Sequence, residues 1–168
     1  MVGVVPNAVY RHFAGRDELL AAVATAAMRE LAARMVAGVA RVRGKYGDPA
    51  AARRRLRAIG RAYLDFAREE PGLFATAFAL PQQHAYGAPA GETGQERMPL
   101  DQLRAALDEL VQAGVLDRQR RDDIEYPIWS TVHGLAVLTG QGPLREVPDA
   151  TRHQLEKRTF TFLEEGLN

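Results

Sequence analysis

The sequence predicts an all-α protein, and three observations carry that reading. Apolar residues recur at helical period through one segment after another. Clusters of Gly and Pro stand between those segments, where chain breaks belong. No β-branched run alternates at period two between turn signals, so no strand is expected.

The first element is short. Pro6 suits the first turn of a helix, where its missing N–H costs nothing, and Val9 and Phe13 stand four residues apart on one face. Asn7, Tyr10, Arg11 and His12 then point elsewhere, as a polar, basic and aromatic set. Gly15 turns the chain into a long helix running from Asp17 to about Val42, with Asp17 and Glu18 in its first turn. Its stripe is Leu20, Val23, Ala27, Leu31, Met35 and Val39.

The turn formers of residues 44–49 close that helix, and a second follows from about Ala50 to Glu69. Leu56, Ile59, Tyr63 and Phe66 share one face of it, and Arg53, Arg54, Arg55, Arg57 and Arg61 occupy the remainder, read as a solvated surface. After Pro71-Gly72 a short apolar helix, Leu73 to Leu80, carries Phe74 and Phe78. Residues 81–99, rich in Gly, Pro, Gln and Glu, read as a loop.

Leu103, Leu107, Leu110 and Val111 give a helix over Leu100 to Val115, closed near Gly114. A charged, exposed stretch runs from Asp117 to Asp123. Ile128, Val132 and Leu135 then define a helix over Ile124 to Leu138, in which Pro127 marks the first turn or a kink. The last helix starts at Asp149 as N-cap and reaches Glu165, with Gly166 as its C-terminal cap. Its apolar positions are Leu155, Phe162 and Leu163.

Composition narrows the function. There is no cysteine, so disulfides, thiolate metal sites and cysteine nucleophiles are out. No apolar run approaches a membrane span, and the N-terminus is no signal peptide, which predicts a cytoplasmic protein with no membrane partner. The net charge of +1 demands no polyanion, although basic residues outnumber acidic ones between Arg11 and Lys45. The four His residues form no metal-binding pair, no Gly-rich phosphate cradle or G-x-S-x-G elbow occurs, and Glu69-Glu70 and Glu164-Glu165 point apart. An enzyme is not expected, and neither a cofactor nor a metal.

Two motifs are specific. The run Val9-Tyr10-Arg11-His12-Phe13, then Arg16, then Leu19-Leu20, resembles the third helix and the start of the fourth in the tetracycline-repressor (TetR) family of bacterial regulators. Trp129 and His133, one turn apart and followed by Gly134, resemble the Trp-His-Gly signature of one group of TetR-type C-terminal domains. The resemblance implies a truncated helix-turn-helix head in residues 1–20, with the recognition helix at about 6–13. Residues 21–168 are then a helical regulatory domain for ligand binding and dimerisation.

By position in that family, Tyr10 and His12 are phosphate contacts and Arg16 holds the backbone at the start of the long helix. Pro6, Asn7 and Arg11 lie where bases or adjacent phosphates are approached, chemistry that such side chains can supply. Phe13 is core. Two departures stand out: Val5 occupies the place of the usual capping Ser or Thr, and the family carries roughly two more helices ahead of the turn near Gly3.

The function this implies is a ligand-responsive repressor that binds a palindromic, double-stranded DNA operator as a homodimer through its last two helices. A small apolar ligand is expected among Tyr63, Phe66, Phe78, Trp129 and His133, with Gly134 allowing close approach of a neighbouring helix. Read from the residues alone, Trp129 and His133 fit a packed pair with a satisfied imidazole as well as a ligand wall. The alternative is a helical ligand-binding or dimerisation module without DNA-binding activity, its head being incomplete.

Overall fold

The computed structural model describes Phe13, residues 15–79 and residues 98–167. Among these residues there are six α-helices, one short 3-10 turn and no strand. We label them α1 (Arg16–Ala40), α2 (Pro49–Glu69), α3 (Pro71–Ala79), α4 (Pro99–Gln112), α5 (Glu125–Gly140) and α6 (Asp149–Gly166), with the 3-10 turn at Arg118–Arg120.

Helix α2 is the hub. It packs against α1, α3, α4 and α5, and α6 closes on it through Phe160. Its start is set by Asp48, whose side chain accepts from the Ala51 N–H at 2.7 Å, with Pro49 in the first turn. The core between α1, α2, α3, α5 and α6 holds Leu31, Met35, Ile59, Tyr63, Phe66, Phe74, Val132 and Phe160. A second cluster of Leu100, Leu103, Leu107, Leu110, Leu116 and Ile128 seats α4. Leu56, Trp129 and Leu163 touch both.

Several boundaries differ from the sequence reading, each for a local reason. Pro99 opens α4 rather than closing the loop before it, since a helix start has no use for its missing N–H. Asp149 is the first residue of α6, not its cap: Pro148 holds the cap position and no side chain caps the end. At the other end Gly166 is still helical and Leu167 is the cap. Phe162 is 67% exposed, whereas Phe160 is buried. Phe160, Leu163 and Leu167 stand at i, i+3 and i+7, the true apolar stripe of this helix.

The arginines are not a uniform solvated face either. Arg55 reaches the buried Glu109 carboxylate and the carbonyl of Gly44 at 2.6 Å, while the Gly47 N–H donates to Glu109 at 3.1 Å. The turn between α1 and α2 is thereby tied to α4. Gly44 in that turn has φ +133, and a Cβ there would stand 2.5 Å from that of Ala51, so glycine is required.

In the charged stretch before α5, Arg121 is only 18% exposed. It donates to Asp108 at 2.6 Å and to Glu125 at 2.9 Å, and Arg104 donates to Glu125 at 2.8 Å. Burial works to raise the Glu125 carboxyl, but the two guanidiniums overcome it and hold the group below the ordinary carboxylate range.

Breaking a buried pair leaves uncompensated charge. Glu125→Ala is therefore expected to cost about 3 kcal/mol, measured by urea unfolding. The wild-type margin over this variant should shrink as pH falls through the carboxylate range, because the contribution of a lowered carboxyl is lost on protonation. A cost below about 0.5 kcal/mol, typical of a surface pair, would remove the latch from this account.

Candidate functional site

The site is built around one buried hydroxyl. Tyr63, on the inner face of α2, is buried, and its Oη lies 2.6 Å from Nδ1 of His133 and 3.2 Å from Nε1 of Trp129. The indole can only donate, so the Tyr63 oxygen accepts from it and directs its own proton to the imidazole. Trp129 and His133 reach the same hydroxyl because four residues on α5 bring them onto one face. The interaction suits a neutral imidazole, and burial pushes His133 below its ordinary value of 6.5.

Rings close the triad. Phe74 stacks on His133 at 5.4 Å between centroids, and Phe78 meets the imidazole edge at 4.8 Å. Phe74 also stands edge-on to Tyr63 at 5.5 Å. Both phenylalanines come from α3, one turn apart, so this nine-residue helix is anchored by an aromatic cluster.

Beside the triad lies a narrow cavity of about 60 Å³. A single water needs about 10–15 Å³ on the same measure, so there is room for a slender group several atoms long. Its wall includes Met28 and Met35 from α1, Ile59, Gly60 and Tyr63 from α2, Phe78 from α3, Leu103 from α4 and Trp129 from α5. The lining is almost wholly apolar. Polar edges come from Tyr63 and Trp129, and from Arg57, whose Nε donates to Glu164 of α6 at 2.7 Å.

Five residues were expected around a ligand. Tyr63, Phe78 and Trp129 line this cavity. His133 stands behind them, one hydrogen bond away through Tyr63. Phe66 does not belong to the wall: it is fully buried elsewhere in the core, with the Arg34 guanidinium 5.2 Å from its ring centroid. Adjacent turns of α2 point Tyr63 and Phe66 about 60° apart, which separates the two rings.

At Gly134 a Cβ would have no atom of the described residues within 4 Å, so none of the described helices approaches it. The close approach is made at Gly60, where a Cβ would stand 2.5 Å from the Phe160 ring. Sequence reasoning missed Gly60, Phe160 and the Arg57–Glu164 pair. The i, i+3, i+7 stripe on the last helix was the available signal for Phe160; the ion pair spans residues far apart in sequence and had none.

Residues 56–160 match the family model described as tetracyclin repressor-like, C-terminal domain. The chain belongs to the tetracycline repressor-like family. The match takes in the whole Tyr63–Trp129–His133 triad and most of the cavity wall of this TetR-type regulator. A solved structure of a protein with unknown function from Rhodococcus sp. RHA1 has the same fold, with a TM-score of 0.66 and 24% identity, over 98% of this chain and 79% of that one. No curated protein matches the chain.

Of the residues expected to meet DNA, Pro6, Asn7, Tyr10, Arg11 and His12 lie outside the described residues. Arg16 is the first residue of α1 and is exposed, after Gly15 in extended conformation. Helix α1 runs unbroken from there to Ala40, across the expected division between residues 20 and 21, and enters the cavity wall at Met28 and Met35. No helix among the described residues is long and apolar enough to cross a membrane.

The lowered His133 gives a pH signature. The unfolded chain takes a proton near 6.5 that the folded state refuses, so stability is full above that pH and declines as pH falls below it. Urea unfolding of wild type should show this decline, and His133→Gln should flatten it between the carboxylate range and neutrality. Parallel pH profiles for the two proteins would mean that His133 is not held neutral.

Proposed function

We propose that this TetR-family regulator is a homodimeric, ligand-responsive repressor of a palindromic DNA operator. The observation that carries the reading is the continuity of α1. Its first residue is the expected backbone contact Arg16, and its fourth and sixth turns supply Met28 and Met35 to the cavity. Whatever fills the cavity presses on the same rigid rod that leads to the head, an arrangement suited to shifting a two-state equilibrium.

In this reading residues 1–20 belong to the DNA-binding head, with Pro6, Asn7, Tyr10, Arg11, His12 and Arg16 at the operator. Residues 21–168 form the regulatory body. The cavity takes an apolar ligand against Tyr63, Phe78 and Trp129. His133 acts from behind, by fixing the hydroxyl that such a ligand would meet. The ligand must bind one dimer geometry better than the other, since equal affinity shifts nothing.

The outer faces of α5 and α6 support the dimer. Tyr126, Val137 and Leu138 on α5 and Phe162 on α6 are large apolar side chains more than two-fifths exposed. Gly134 falls on the same side of α5 as Val137 and Leu138, where its missing side chain leaves room for a helix of a second copy. Two recognition helices of such a dimer would meet successive major grooves about 34–36 Å apart.

The test is selection of bound duplexes from genomic fragments of the source cell, followed by anisotropy titrations at several salt concentrations. A palindromic site bound with a steep salt slope is expected, because phosphate contacts release counterions. Arg16→Ala should weaken binding about tenfold and reduce that slope by about one, with the dimer intact. Absence of sequence preference even at low salt would overturn the operator reading and leave a ligand-binding or dimerisation module.

A further inference from the structure

The apolar cavity and a groove on the surface share part of their walls. Arg57 and the Phe160 ring line the cavity, and the same two residues line the outer groove, of about 450 Å³, between α2 and α6. The rest of the groove is Arg61, Asp65 and Arg68 from α2 and His153, Glu156 and Lys157 from α6. Helical spacing makes it: Arg57, Arg61 and Arg68 share a side of α2, and His153, Lys157 and Phe160 face them.

Charge in the groove is unbalanced. Arg57, Arg61, Arg68 and Lys157 stand against Asp65 and Glu156. Arg57 is held by Glu164, and Arg68 by Asp65 at 2.5 Å. Arg61 and Lys157 have no ion-pair partner among the described residues and are exposed. Gly60 lets the Phe160 ring lie directly on α2, so one ring is the partition between an apolar interior and a cationic exterior.

We infer that the ligand of this regulator is an amphipathic anion. Its apolar chain occupies the inner cavity against Met28, Met35 and Trp129. Its anionic head lies in the groove at Arg61 and Lys157, and the neck passes between Phe160 and Arg57. This rests on the reading that the cavity is the ligand site, and adds the chemical class of what enters it. An uncharged apolar ligand would leave the groove cations without a role.

Octanoate and octanol carry chains of equal length and differ in charge, so they separate the two claims. The emission of Trp129, the sole tryptophan, reports entry into the cavity. At low salt octanoate is expected to bind about tenfold more tightly than octanol, as two exposed cation contacts allow. Added salt should erode that preference, and Arg61→Gln with Lys157→Gln should abolish it. Octanol binding as tightly as octanoate, or a preference that survives the double substitution, would overturn the anionic head while leaving the cavity reading in place. If neither compound changes the emission or binds by calorimetry, both readings fall.

Discussion

The structure depends on how one helix satisfies its neighbours at once. Helix α2 is touched by every other helix of the body, so each side of it is specified by a different partner. Tyr63 is the point of greatest constraint, because a buried hydroxyl without partners costs about 1–3 kcal/mol. The cost is avoided where α5 presents Trp129 and His133 in register and α3 supplies Phe74 and Phe78 to exclude water. A single hydroxyl therefore fixes three helices relative to one another. The cavity is the space left beside it, where the side chains of α1, α4 and α6 stop short of filling the gap.

Around that centre the remaining helices are joined by ionic latches at the periphery. Arg55 and Glu109 tie the first turn to α4, and Glu125 gathers Arg104 and Arg121 where α4 meets α5. Arg34 of α1 bridges Glu30 and Glu69 at 2.8 and 2.7 Å while covering Phe66. Such pairs add little net stability in water-accessible places, but a buried carboxylate with two guanidiniums is costly to mispair and so specifies register. Rigid latches at the ends and an unfilled gap at the centre suit a body that responds to a small molecule. Filling the gap alters packing without having to break the frame.

Much of this was legible in the sequence, and the pattern of what was not is physical. Helices appear where apolar residues recur at 3.6, and their order follows from Gly and Pro punctuation. Tyr63, Phe78 and Trp129 stood out as large rings on helix faces, and bulky rings beside a cavity are the residues such a reading finds. Phe66 was equally prominent and is ordinary core, because periodicity assigns a residue to the inside without saying which part of the inside. Phe160 and Phe162, two residues apart, illustrate the opposite limit. Either is a credible core residue by type, and only the stripe continued to Leu167 tells them apart. Contacts between distant residues left no local trace: Arg57 with Glu164, Arg55 with Glu109, and Gly60 under Phe160 are products of the folded arrangement.

The methionine methyl groups test directly whether the space beside Tyr63 takes the ligand of this regulator. The sequence has four methionines, of which Met28 and Met35 line the cavity and Met98, among the described residues, does not. In a carbon–proton correlation spectrum of methyl-labelled protein titrated with octanol, saturable shifts of the Met28 and Met35 signals, assigned by Met→Leu substitution, are expected. Shifts confined to Met1 or Met98, or a spectrum unchanged at saturating octanol, would contradict the cavity reading.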